Sequence, residues 1–293
     1  MRTLPLLLLL SLLLYSCEDV IEVDVPTESP RLVVDALIRI DTSMTTMPVI
    51  IKVSETSSFF EEPQPASVND MVITKQTQIG EEPDDLFIQF IELEPGIYQP
   101  SDNEIDPDEI ATALLSAPGT YLLTISYQDE IYIARTQYAP AVQIDSLAQG
   151  DGTLFEGDET EVVVSFTDQP DSDNFYVIDM DFDEFIVTED QFYQGQPFSF
   201  SYFYEDELEP GTTVNVSLLG ADREFYNYMA QLIEQSGQDF GPFETPAVTV
   251  RGNILNATDI DNRDQFDNVD NPDNFVLGYF ALSQEFKASL TIE

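Results

Sequence analysis

The chain runs to 293 residues and carries 56 Asp and Glu against 10 Lys and Arg, a formal charge of −46 at pH 7. Nucleic acid and anionic lipid bear the same sign and are repelled, so neither is an electrostatic partner. An apolar share of 43%, with 20 Phe and 13 Tyr, excludes a disordered acidic chain, because it supplies enough material for packed cores.

The amino terminus reads as a processing segment. Met1 and Arg2 lead into an apolar run from Leu4 to Leu14. A membrane-crossing helix needs about 20 apolar residues, whereas the apolar core of an export signal has this shorter length. Leu14 and Ser16 stand three and one residues before Cys17, the one cysteine of the chain, and this spacing resembles the bacterial lipobox. Residues 1–16 are therefore expected to be removed and Cys17 to be acylated, with more than one acyl chain making a stable anchor. The alternative is a secreted protein cut near Ser16. Glu18, Asp19, Glu22 and Asp24 follow, interleaved with Val20, Ile21, Val23 and Val25. Acids placed directly behind the cysteine resemble the surface-export signal of Bacteroidetes lipoproteins, which implies an outer-membrane anchor and a protein facing the medium. No cysteine then remains for a disulfide.

After the acidic tether of 17–30, short strands are expected at 31–40 (RLVVDALIRI), 48–55 (PVIIKVSE), 71–78, 86–93, 121–127 (YLLTISY) and 130–138 (EIYIARTQY). Each is β-branched or aromatic with partial period-two alternation. Pro95-Gly96 and Pro118-Gly119 mark turns, Pro presetting the first torsion and Gly the positive φ. Packed as two antiparallel sheets, residues 31–142 would form an immunoglobulin-like or transthyretin-like β-sandwich.

Residues 143–293 read as a second β-rich domain. Its strands are expected at 161–167, 174–187 (NFYVIDMDFDEFIV), 197–204 (PFSFSYFY), 212–219, 247–254 and 275–292. One helix is predicted over 222–236 (DREFYNYMAQLIEQS). Asp222 caps it, Phe225, Tyr228, Met229, Leu232 and Ile233 share one face, and Gly237 ends it. That face should pack on a sheet. The expected class is thus mostly β, two domains, one helix.

Chemistry-bearing constellations are scarce. The chain has no histidine, which removes Ser-His-Asp and Cys-His sites and every His-ligated metal. Neither S-x-x-K spacing, a G-x-S-x-G elbow nor a phosphate-binding Gly loop occurs. A non-catalytic protein is expected. With so many acids, a pair of carboxylates set for glycoside cleavage carries no signal. Calcium is the better candidate cofactor. Asp179, Asp181 and Asp183 have D-x-D-x-D spacing, but alternation with Met180 and Phe182 favours a strand with one solvated acidic face, and Glu184 replaces the Gly an EF-hand loop needs. The run 259–274 is richer in hard oxygen ligands: Asp259, Asp261, Asp264, Asp267 and Asp270 are candidate Ca²⁺ ligands, the bland reading being an exposed acidic loop. Among the aromatics, Phe198, Phe200 and Tyr202 fall on one strand face and Ser199, Ser201 and Phe203 on the other, which favours core packing for the group that also holds Phe192, Tyr193 and Tyr204 over a ligand platform.

The order CEDVIEVD, RLVVDALI, IDSL, REFYNYMAQLIEQ, PFETPAVTVRGNI and NFVLGYFALS resembles the Bacteroidetes lipoprotein family called domain-of-unknown-function 4249. VRGNI and NFVLGYFALS are its most distinctive parts. Asp145-Ser146-Leu147 also resembles the O-glycosylation tripeptide of exported proteins in that group. The resemblance implies an outer-membrane lipoprotein of the kind often found beside a TonB-dependent transporter, and it brings no catalytic residue with it. Two functions are in view: an accessory subunit of such a transporter that helps capture its substrate, or a free-standing surface module binding a glycan or cell-surface ligand.

Overall fold

The computed structural model describes residues 30–57, 63–76, 86–101, 109–154, 157, 159–204, 207–236, 249–258 and 275–293. In the first half, β1 (Leu32–Ile40), β2 (Thr46–Pro48), β3 (Ile51–Glu55), β4 (Gln64–Pro65), β5 (Asp70–Gln76), β6 (Phe87–Glu94), β7 (Ile97–Pro100), β8 (Glu109–Ala111), β9 (Thr120–Tyr127) and β10 (Glu130–Ala139) follow one another, with a one-turn helix, Thr112–Leu115, after β8. The second half contributes β11 (Ile144–Gln149), β12 (Thr160–Thr167), β13 (Phe175–Asp179), β14 (Phe185–Glu189), β15 (Pro197–Tyr204), β16 (Thr213–Ala221), a long helix Arg223–Gln235, β17 (Ile254–Asn256) and β18 (Leu277–Thr291).

The fold is mostly β, as composition and alternation require, but the first half is not a sandwich. Strands β1, β3, β7, β6, β5, β9 and β10 pair in that order, and β18 closes the ring by lying parallel to both β1 and β10. The result is a closed eight-strand barrel-like sheet with extra strands, so the expectation of an immunoglobulin-like or transthyretin-like sandwich over 31–142 is corrected. The closing strand comes from the far end of the chain, where local pattern says nothing of its neighbours. Alternation then fills the interior. Leu32, Val34, Ala36, Ile38 and Ile40 of β1 point inward and meet Ile51, Met71, Ile73, Tyr98, Tyr121, Leu123, Ile125 and Phe280 in one core. A ring of this strand number has an interior just wide enough for side chains to fill, so it is a packed core, not a channel.

Beyond the ring, β18 continues alongside β16, and β13 and β14 extend that sheet outward. The three-stranded sheet β11–β12–β15 faces it across a second core of Val162, Val164, Phe166, Tyr176, Ile178, Val214, Val216 and Leu218. Phe198, Phe200 and Tyr202 pack against this core, as their alternation predicts, while Ser199 faces out to meet the Ser165 hydroxyl at 2.8 Å. The opposite face of the β13–β16–β18 sheet is covered by the long helix through Phe225 and Met229, which pack on Phe175, Val177, Leu219 and Ala281. Strand β13 is therefore buried on both faces, which explains why its sequence is apolar without alternation.

The helix forms where predicted. Asp222 is its cap, its Oδ1 accepting the Phe225 N–H at 2.7 Å. The predicted strand 174–187, however, is a hairpin. It breaks after Asp179, and Asp181, Phe182 and Asp183 carry φ of 68°, 52° and 63° before β14 begins. Short polar side chains tolerate this left-handed region, and two of the three are Asp.

Candidate functional site

The site is built on the outer wall of the ring. Because β1 buries its even-numbered residues, Val33, Asp35, Leu37 and Arg39 face outward; β18 runs beside it in register, Val33 against Leu277 and Asp35 against Tyr279. From the other side β3 sets Lys52 opposite Asp35. The long helix passes over this wall but extends past the strands it packs on. Phe225 and Met229 are buried, whereas Leu232 on the same face stays 36% exposed. Between wall and helix lies a groove of about 780 Å³, bounded also by Ile50, Phe185 and Val250. That volume falls in the usual range for small-molecule sites, and its walls are mainly apolar, as such sites are.

The charges in the groove reverse the balance of the chain. Arg39 and Lys52 are cations and Asp35 is the one acid among the lining residues, in a sequence with 56 acids and 10 bases. Arg39 is already engaged: its Nη2 donates to Asp179 Oδ2 at 2.7 Å and its Nη1 to Glu285 Oε1 at 3.3 Å. The buried Glu285 carboxylate is held from its other side by Lys287 Nζ at 3.0 Å. Lys52 is exposed and, among the described residues, has no ion pair. Two more cations stand near one end of the groove by chain proximity. The guanidinium groups of Arg31, two residues before Val33, and Arg251, next to Val250, each lie 4.1 Å from the centre of the Phe275 ring. Inside the groove, burial pushes the Tyr228 hydroxyl up to about 12 and the Tyr279 hydroxyl further still, so both stay protonated. The Tyr279 ring packs 5.0 Å from Phe225 and 4.8 Å from Tyr228, and its buried hydroxyl has no hydrogen-bond partner.

The groove was not legible as a site. The one signal was Leu232, an apolar residue on the helix face with no strand beneath it. Of the residues singled out from sequence, Cys17 and the candidate calcium ligands Asp259, Asp261, Asp264, Asp267 and Asp270 lie outside the described residues. Asp179 ends β13 while Asp181 and Asp183 sit in the β13–β14 turn, so the three do not share one strand face. Asp179 is turned to Arg39, and Asp181 Oδ2 accepts the Asn215 backbone N–H at 2.8 Å and its side-chain amide at 3.1 Å. No group of three or more acids able to hold a metal occurs among the described residues. Besides Glu285, two buried carboxylates escaped sequence reading altogether. Asp168 accepts the Tyr176 hydroxyl at 2.6 Å and the Gly195 N–H at 2.8 Å, and Asp190 Oδ2 is buried without a partner. Burial, helped by the charges of Asp168 and Asp173, pushes the Asp190 carboxyl above its ordinary value.

The model of the family described as "Domain of unknown function (DUF4249)" matches residues 18–289. The chain belongs to the DUF4249 family. The segments that carried the resemblance, VRGNI and NFVLGYFALS, prove to be neighbours in this DUF4249 chain. A Cβ on Gly278 would lie 1.9 Å from the Val34 carbonyl oxygen, and one on Gly252 only 1.6 Å from that of Gly278, so backbone meets backbone beside the groove and only glycine fits. Asn253 completes the join: its Oδ1 accepts the Phe280 N–H at 2.9 Å, and its Nδ2 donates to the carbonyls of Phe280 at 2.8 Å and Arg135 at 3.0 Å. Curated proteins give no match. Among solved structures, a crystal structure of a DUF4785 family protein from Legionella pneumophila aligns at 13% identity and a TM-score of 0.21, over 64% of the DUF4249 chain and 52% of its own, so this chain spans about half the length of that protein. Among the described residues, no helix is long and apolar enough to cross a membrane.

Proposed function

We propose that this DUF4249 protein is a surface-exposed outer-membrane lipoprotein, anchored through Cys17, that serves as a non-catalytic accessory subunit of a TonB-dependent transporter and helps capture its substrate. The observation that carries the binding part is the groove itself: a mainly apolar space of about 780 Å³ whose charged lining is two cations to one acid on a strongly acidic chain. Its walls offer shape, apolar surface and a Lys52 amine with no ion pair among the described residues. The lipobox, the acids behind Cys17 and the family resemblance support the location and the transporter partner. The anchor holds the body at the membrane, where a barrel would be within reach.

The test is purification of the tagged, lipidated protein from its native membrane in mild detergent, with mass spectrometry of what accompanies it. A stoichiometric outer-membrane barrel is the expected companion. A protein that travels alone contradicts the subunit reading and leaves a free-standing binder for a glycan or cell-surface ligand.

A further inference from the structure

We infer that the groove takes an amphipathic monoanion, an apolar body ending in a single carboxylate that pairs with Lys52; this rests on the reading of the groove as the binding site. The apolar part follows from the walls. Leu37, Ile50, Phe185, Leu232, Val250 and Leu277 form a surface that water wets poorly, and each buried methylene of a ligand gains about 0.8 kcal/mol there. The charge of the head follows from Lys52. Lysine is a compact point charge on a flexible stem, and among the described residues the Lys52 amine has no ion partner while Arg39 is held by Asp179 and Glu285.

One negative charge fits and two do not. Asp35 faces Lys52 across the β1–β3 ladder and lines the same groove, so a dianion would meet one amine and one carboxylate. Phosphate recognition ordinarily recruits a fork of arginine or several donors, and the groove lining offers one unengaged cation. The distant acids of the chain do not decide the matter, because at physiological salt charges beyond about 8 Å are screened. A protonated Tyr228 hydroxyl at the roof adds a neutral donor. A cationic amphiphile, by contrast, would be repelled by the amine that an anion pairs with.

The experiment uses residues 18–293, which keep every described strand and the helix and lack only the signal and the acylated cysteine. Dodecanoate, dodecanol and dodecyltrimethylammonium, each below its micelle concentration, are titrated calorimetrically. Dodecanoate is expected to bind at least tenfold more tightly than dodecanol, and the cation not at all. Lys52→Met keeps an unbranched stem at an exposed position and so spares the fold; it should bring dodecanoate down to the affinity of dodecanol and leave dodecanol unchanged. Leu232→Asp, on the half-exposed roof, should weaken both. Equal binding of acid and alcohol by the unmutated chain, an unchanged dodecanoate affinity in Lys52→Met, or no binding of either ligand overturns the inference. These readouts are independent of co-purification. A chain that travels with a barrel yet ignores dodecanoate overturns the ligand assignment alone, and a solitary chain that binds it overturns the transporter partner alone.

Discussion

Asn253→Ala should be among the costliest single truncations of a half-buried side chain in this protein. In a strand the N–H and C=O of one residue point to the same side, and those of Phe280 point from β18 toward β10. The two strands pair directly only at Tyr138 with Leu282 and Ala139 with Ser283. Below that point the amide of Asn253 stands in for the missing ladder, satisfying the Phe280 N–H and C=O and the Arg135 C=O. Phe280 is fully buried, so water has no easy route to replace it. Three hydrogen bonds at about 1 kcal/mol each, with at least one buried group left unpaired, put the loss at about 3–5 kcal/mol. Asn253→Asp should cost no less: it keeps the acceptor, removes both donations and points a carboxylate at two carbonyl oxygens. Urea unfolding followed by tyrosine fluorescence measures this, with the exposed Asn227→Ala as a control expected within about 0.5 kcal/mol of the parent. A loss below about 1 kcal/mol for Asn253→Ala would refute the claim that this side chain closes the ring.

Other outcomes follow from single residues. Gly278→Ala should cost more than about 2 kcal/mol and clearly exceed Gly211→Ala; both glycines have φ +94°, but only at Gly278 would the new methyl strike a carbonyl, so equal losses in urea melts would leave torsional strain as the whole effect. Asp222→Ala removes the cap of the long helix and should cost about 1 kcal/mol, with Asp222→Asn recovering most of it. The raised Asp190 carboxyl holds its proton more tightly folded than unfolded, so its contribution to stability falls as pH rises from its unfolded value through its folded one and stays low above that. Asp190→Asn should therefore gain on the parent between acid and neutral pH, and a difference that shrinks as pH rises would reverse the assignment. Calcium ordering of the run containing Asp259, Asp261, Asp264, Asp267 and Asp270 predicts a Tm lowered by EDTA and restored by excess Ca²⁺; an unchanged Tm removes the cation.

Class and elements were readable because they are local. Alternation marked β1 and β9, β-branched runs marked β12, and the spacing of Phe225, Tyr228 and Met229 behind a capping Asp marked the helix. What alternation cannot report is which strand lies beside which. The apolar run 275–292 gave no hint that β18 would sit parallel between β1 and β10 and then leave them for β16, so the ring was read as two sheets. The 174–187 error has a different cause. Met180 and Phe182 continue the apolar pattern through the turn, and the three left-handed residues that make it are Asp, Phe and Asp, without the Gly or Pro that announces most hairpins. Strand β11, absent from the expected strands, was a third miss, since none of its side chains is buried and it owes its pairing to β12. The groove was hidden for the same reason as the ring: its wall, roof and free amine come from β1, β3, β18 and the helix, and no two of these are consecutive.

Strand β18 explains why these distant parts act as one body. Its first half floors the groove with Leu277 and Tyr279, its middle supplies Glu285 to Arg39 at the meeting of the two cores, and its second half flanks β16. Arg39 belongs to both places, lining the groove while its guanidinium is held by Asp179 and Glu285, and this leaves Lys52 as the amine open to a ligand. The floor is tied to β1 by a backbone ladder on one side and to β10 through the Asn253 amide on the other. The roof is held differently, by one apolar stripe and one capped end, and its last turns beyond Met229 lie over the opening. Local opening draws on segments with few buried contacts, which here means the carboxyl-terminal half of the helix. A ligand in the groove is therefore expected to slow opening of that half-helix before it affects the wall beneath, whose strands β1, β3 and β18 are joined by backbone ladders.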